Sequence, residues 1–313
     1  MLSRMADSLY WLSRYTERAE NLARILDVAQ RLSALPSAYA GASNEWESAV
    51  ATANCAENFY AHYPVATREN VIRFIVASEA NPSSIRACIE TARNNARAVR
   101  TAITTEMWEI LNDAWNDMQR VKLDGMSPAE LSRFLQSVKE MSLRFDGAAY
   151  RTMLRMDQYW YQRLGTFVER ADNMARLLDV KYHVLLPDKE RVGGGLDYFQ
   201  WSSILRSVNA LTSFNWVYRQ SLQPWLVADF LILRLEQPRS LISCYKAINE
   251  YLDQIGEAYG RQGPSQRIAR ATSAKLSNAE IETIFQSGLH EFLTGFIEDN
   301  NNLGSAIAQQ YLA

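Results

Sequence analysis

The chain has 313 residues, nearly half of them apolar, with only 13 glycines and 8 prolines. Its 33 Lys and Arg against 35 Asp and Glu leave a formal charge of −2, which excludes a global basic field drawing in nucleic acid or an anionic membrane. Scarce Gly and Pro favour long helices over a sandwich or barrel. In chain order, a first helix is expected from about Ala6 to Leu35, ended by Pro36, with Trp11, Tyr15, Ala19, Leu22, Leu26 and Ala29 on one stripe. A second covers about Asn44 to His62, and a third about Arg68 to Glu79. Asn81-Pro82 breaks the chain and opens a long helix, with Pro82 in its first turn, that carries Arg86, Arg93, Arg97 and Arg100 toward Val121. Ser127-Pro128-Ala129-Glu130 is a strong start signal, combining a Ser cap, a first-turn Pro and a back-folding Glu. That helix leads to Asp146-Gly147. The next runs to Leu186 and stops at Pro187, a loop covers Asp188 to Gly195, and helices start near Leu196, Pro224, Pro238, Pro264 and Ser277. No period-two strand pattern appears, so the expected class is all-α.

One segment occurs twice. Glu17-Arg18-Ala19-Glu20-Asn21-Leu22-Ala23-Arg24 returns as Glu169-Arg170-Ala171-Asp172-Asn173-Met174-Ala175-Arg176. A core needs only hydrophobes of suitable size and period, so repeated Glu, Arg and Asn specify something polar. The similarity extends further. Trp46, Ser48, Asn54 and Phe59 align with Trp201, Ser203, Asn209 and Phe214; Pro82, Ser84, Ile85 and Cys88 with Pro238, Ser240, Leu241 and Cys244; and Ser127 to Glu130 with Ser277 to Glu280. An internal duplication is expected, with two pseudo-symmetric helical-bundle halves at 1–145 and 146–313 packed as one unit.

On a helical wheel Glu17, Asn21, Arg24 and Arg14 share a face opposite the apolar stripe, with Arg18 at its boundary. Glu169, Asn173, Arg176 and Arg170 repeat the pattern, while Thr166 stands where Arg14 would recur. Adjacent Glu and Arg cannot pair well within one helix, so each must reach another helix, and the planar Arg fork suits a bidentate carboxylate. Two roles follow. A structural ion-pair network between the related helices is favoured, with Arg18→Ala or Arg170→Ala expected to destabilise more than Arg93→Ala. A phosphate or carboxylate site held by Arg18 and Arg170 is the alternative.

Other clusters offer less. Gly193-Gly194-Gly195 lacks the following Lys-Ser/Thr of a phosphate loop and reads as a linker. His62, His183 and His290 lack di-iron and zinc-peptidase spacing, so neither a metal nor a cofactor is expected. His290 is taken as a half-buried histidine with a functional role as the lesser option. Residues Arg4, Asp7, Arg14 and Glu17 argue against a signal peptide, and no apolar run approaches the ~20 residues of a membrane span. Three scattered cysteines, Cys55, Cys88 and Cys244, suit a reducing compartment and a cytoplasmic location, and read as small buried hydrophobes.

These residues together resemble the bacterial alpha-E family of all-helical proteins. The resemblance is carried by Met1-Leu2-Ser3-Arg4, Ala6 to Trp11, Arg14-Tyr15, Glu17 to Asn21, Asn81 to Ser84, Glu106 to Glu109, Leu164-Gly165, Glu169 to Asp172, Pro238-Arg239-Ser240 and Gly288 to Leu293. It implies a companion of a circularly permuted ATP-grasp amide or peptide ligase, with a transglutaminase-like peptidase in the same pathway. The lack of a nucleophile, metal or nucleotide motif then favours an accessory, non-catalytic partner that docks on the ligase and presents its peptide or amino-acid substrate. The alternative is an enzyme of that pathway using the duplicated Glu/Arg/Asn face as a carboxylate or phosphate site. No catalytic residue carries over.

Overall fold

The structure, a computed structural model, describes residues 1–34, 45–184 and 195–312. Among them it contains fifteen α-helices and no strand. They are α1 (Ser3–Ser33), α2 (Glu45–Thr52), α3 (Ala56–Tyr60), α4 (Arg68–Ala77), α5 (Ile85–Ala98), α6 (Thr105–Met118), α7 (Pro128–Thr152), α8 (Asp157–Val184), α9 (Gly195–Ser207), α10 (Leu211–Tyr218), α11 (Pro224–Ile232), α12 (Leu241–Tyr259), α13 (Pro264–Ser277), α14 (Ile281–Ser287) and α15 (Leu289–Ile307), followed by one π-helical turn (Ala308–Leu312). None of the described helices is long and apolar enough to cross a membrane. The expected stops at Pro36 and Pro187, the loop from Asp188 and the glycines Gly193 and Gly194 lie outside the described residues, as does the side chain of His183.

The two long helices α1 and α8 form the axis. Helices α5 and α7 pack on α1, and α12 and α15 pack on α8. α1 is buried nearly all round: Leu9, Leu12 and Leu26 sit in the core, and so do Glu17 and Arg24 on what the wheel made its polar face, together with Glu20. The amphipathic expectation therefore fails for α1, because neighbours cover both of its faces. Tyr10 meets Gly165, Glu17 and Arg18 meet Arg170 and Glu169, and Ile25 and Leu177 line one small apolar cavity. α1 and α8 therefore run side by side in the same direction. They come close at Gly165, where a Cβ would lie 2.2 Å from the Tyr10 carbonyl oxygen.

The aligned short elements share local geometry. The expected second helix is broken after Thr52 because Asn54 adopts the left-handed region (φ 51°), and its counterpart Asn209 does likewise (φ 55°) between α9 and α10. Asn tolerates this conformation better than most residues. Phe59 packs edge-to-face on Phe74, and Phe214 on Phe230. Pro82 and Pro238 do not begin helices. They lie in the turns ahead of α5 and α12, whose caps are Ser84 and Ser240, each accepting from the backbone N–H three residues on. The helix expected to reach Val121 ends at Ala98, and α6 begins after an extended Thr104. α7 continues unbroken across the expected division at 145/146 and ends at Thr152.

Ser127 forms the full capping box: its N–H and Oγ both donate to Glu130 Oε2, at 2.9 and 2.6 Å, and its Oγ accepts from the Glu130 N–H. Ser277 does not cap. It is the last residue of α13, Asn278 N–H still donates to Ala274, and α14 opens after Glu280 with no side-chain cap. The physical difference is Pro128, which has no N–H with which to continue a preceding helix, against Asn278, which has one. Ser127→Ala should accordingly lower unfolding stability by about 1 kcal/mol, and Ser277→Ala should leave it unchanged in urea titrations. Equal losses would contradict the assignment.

Candidate functional site

The repeated Glu-Arg segments meet each other. Arg170 grips Glu17 with Nε and Nη2, both at 2.9 Å, and Arg18 grips Glu169 with Nε at 2.6 Å and Nη2 at 3.1 Å. Each is a planar bidentate fork, the geometry in which Arg outperforms Lys. Each buried carboxylate also takes a second arginine, and here the two sides part. Glu169 receives Arg14 Nε at 2.7 Å, from the preceding turn of α1. Glu17 receives Arg239 Nη1 at 3.0 Å, from the turn before α12, and Arg239 Nη2 reaches Glu20 at 2.6 Å. Rings back the guanidiniums: Arg14 lies over Trp11, Arg18 over Tyr15 and Arg170 over Phe167.

The electrostatics follow. Burial pushes the Glu17 carboxyl up, but Arg170 and Arg239 beside it outweigh this and hold it at about 2. Burial likewise opposes ionisation of Glu169, and Arg14 and Arg18 keep it below the ordinary carboxylate range. Burial also disfavours the charged forms of Arg14, Arg18 and Arg170, yet their neighbours raise all three above the usual arginine value: Tyr10 and then Glu169 beside Arg14, Glu169 beside Arg18 and Glu17 beside Arg170. The buried thiols of Cys55, Cys88 and Cys244 are each pushed up to about 12 by desolvation.

On the Glu169 side lies a cleft of about 220 Å³. Arg14, Arg18, Asn21, Glu169, Asn173 and Arg176 line it, so six residues singled out in the sequence are brought to one place. Asn173 is 9% exposed, and its Nδ2 has no hydrogen-bond partner. Arg176 Nε donates to Asp172 at 2.7 Å. Glu17 and Arg170 belong instead to the other fork. Arg24 is not in the cleft: it is buried, paired with Glu20 and donating to the Ser207 carbonyl. His290 is also elsewhere, with Nδ1 2.6 Å from Asp179 Oδ1.

Sequence reasoning missed Arg239 and Glu20 as members of the network, and the cleft walls supplied by Asn54, Asn58, Asn81, Ser83 and Asn301. The available signal was the alignment of Pro82-Ser83-Ser84 with Pro238-Arg239-Ser240, where an exchange of Ser for Arg stands amid otherwise matching residues. Apart from Ser83, the cleft walls had no such signal, since they come from three separate segments, around Asn54–Asn58, Asn81–Ser83 and Asn301.

A family model described as Alpha-E, a predicted alpha-helical domain with a conserved ER motif, matches residues 1–312. No curated protein and no solved structure matches the chain.

Proposed function

The chain belongs to the Alpha-E family, and from that premise we propose that it is an accessory, non-catalytic partner of a circularly permuted ATP-grasp amide or peptide ligase in the cytoplasm. It docks on the ligase and holds or presents a peptide or amino-acid substrate, with a transglutaminase-like peptidase acting in the same pathway. The observation that carries the substrate-holding role is the donor-rich cleft beside the Arg18–Glu169 fork. The charged groups of the two forks favour binding over catalysis. A general acid or base works best with a pKa near the operating pH, whereas Glu17 and Glu169 are held far below neutrality and Arg14, Arg18 and Arg170 above their usual value. Cys88, packed near Arg18, has a thiol pushed up to about 12 and is a poor nucleophile. The crossed forks are also what an internal duplication, with halves 1–145 and 146–313, places at a pseudo-twofold axis.

Co-purification with an ATP-grasp protein, followed by ATP consumption with and without this chain, tests the partnership. We expect a stable complex and turnover that depends on the chain. For an Arg18→Met, Arg170→Met pair, folding stability and ligase association should fall together. Intact folding and association with abolished turnover would instead favour an enzyme acting on a carboxylate or phosphorylated intermediate.

A further inference from the structure

The two sides of the crossed forks carry the same number of arginines but not in the same places. On the Glu17 side the second arginine is Arg239, whose guanidinium bridges Glu17 and Glu20. The position aligned with Arg239 is Ser83, whose short hydroxyl accepts a long 3.4 Å bond from Arg18. On the Glu169 side the second arginine comes from within α1 instead, as Arg14. The turn before α5 therefore leaves space where the turn before α12 inserts a cation, and that space is the cleft.

Three features of the cleft define what fits. Its wall holds three guanidiniums, of Arg14, Arg18 and Arg176, against two carboxylates, of Glu169 and Asp172, leaving one positive charge in excess. A monoanion neutralises this excess. A phosphate dianion overshoots it beside two fixed carboxylates. Second, Asn173 Nδ2 is a donor buried without an acceptor, a state that costs free energy until an oxygen arrives. Third, at about 220 Å³ and roughly 30 Å³ per water, the space matches about seven waters, which suits an amino acid or a peptide end rather than a nucleotide.

We propose that this cleft binds the terminal carboxylate of a peptide or N-acylated amino acid, one per chain, with the carboxylate toward the Arg14/Arg18/Arg176 wall and a ligand oxygen accepting from Asn173 Nδ2. This rests on the reading of the cleft as the substrate-holding part of the protein, and does not depend on which protein it docks.

Isothermal titration of the full chain with N-acetyl-glycylglycine, its C-terminal amide and inorganic phosphate tests the proposal. The acid should bind with a stoichiometry of one, and the amide and phosphate at least about tenfold more weakly. Asn173→Ala is the informative variant, because its amide nitrogen has no partner within the protein. It should keep the wild-type melting temperature or exceed it, and lose about tenfold or more in affinity for the acid. Equal binding of acid and amide, or tighter binding of phosphate, overturns the carboxylate assignment. So does unchanged affinity in Asn173→Ala, or no saturable binding of the acid by ~10 mM. A lowered melting temperature in Asn173→Ala overturns the role given to its amide. Loss of acid binding with ligase co-purification intact sinks this proposal alone, whereas acid binding without co-purification sinks only the docking.

Discussion

Arg170→Ala should cost about 3 kcal/mol of folding stability at neutral pH, the lower end of what breaking a buried ion pair costs. The variant loses both 2.9 Å bonds to Glu17 and leaves that buried carboxylate with Arg239 as its remaining arginine contact. Arg18→Ala should cost less, because Arg18 is itself a quarter exposed on the cleft and Glu169 keeps Arg14. Arg97, exposed on α5, is the reference whose replacement should change little. Arg93 is unsuitable for that purpose: it is half-buried, donates to Asn112 at 3.0 Å and lies over Trp108. The pH dependence has a fixed sign. The folded pKa of Glu17, about 2, lies below its ordinary value of 4.5, so the stability it contributes is full above pH 4.5 and is lost as pH falls toward 2. The gap between wild type and Arg170→Ala should therefore narrow across that window in urea titrations. A pH-independent gap, or equal stability of Arg170→Ala and Arg97→Ala, would contradict the buried-fork account.

Gly165→Ala should destabilise by about 2 kcal/mol or more, although alanine is the better helix former by about 1 kcal/mol. The new Cβ lands 2.2 Å from the Tyr10 carbonyl oxygen and 3.0 Å from its carbon. These are backbone atoms of α1, which cannot rotate aside, so α1 and α8 must separate, and overpacking of this kind costs about 1–3 kcal/mol or more. Gly165 is one helical turn from Glu169 and the Arg18 fork, so the site should be disturbed with the fold. Gly147, in α7, is the contrast: a Cβ there meets nothing within 4 Å, and Gly147→Ala should be neutral or stabilising by up to about 1 kcal/mol. Chemical denaturation of the two variants checks this. The explanation fails if both shift in the same direction.

Several features were readable in the sequence because they are local. Helix class followed from composition and period. The stop-and-start at Ser127 followed from a cap, a proline and a glutamate within four residues, all of whose interactions close within one turn. That Glu17-Arg18 and Glu169-Arg170 must pair outside their own helices followed from helix geometry, since adjacent residues point apart. The same logic failed where a local signal was incomplete. Ser277 lacked the proline that would have stopped α13, and the stretch between Ala98 and Thr105 carried no breaker that marked the end of α5.

Which carboxylate each arginine takes was beyond the sequence, because it depends on which faces meet. Arg24 and Arg176 occupy equivalent places in the repeat, yet Arg24 is sealed against α9 at the Ser207 carbonyl while Arg176 lines the cleft. Arg239 sits 222 residues from Glu17 and touches it only because α12 packs on α8. The sequence by itself determined the helices and the paired polar segments, since propensity, caps and side-chain direction are set within a few residues. Tertiary packing alone decided that one side of the crossed forks is filled by Arg239 and the other left open beside Ser83, because space and electrostatic partners arise only where distant segments are brought into contact.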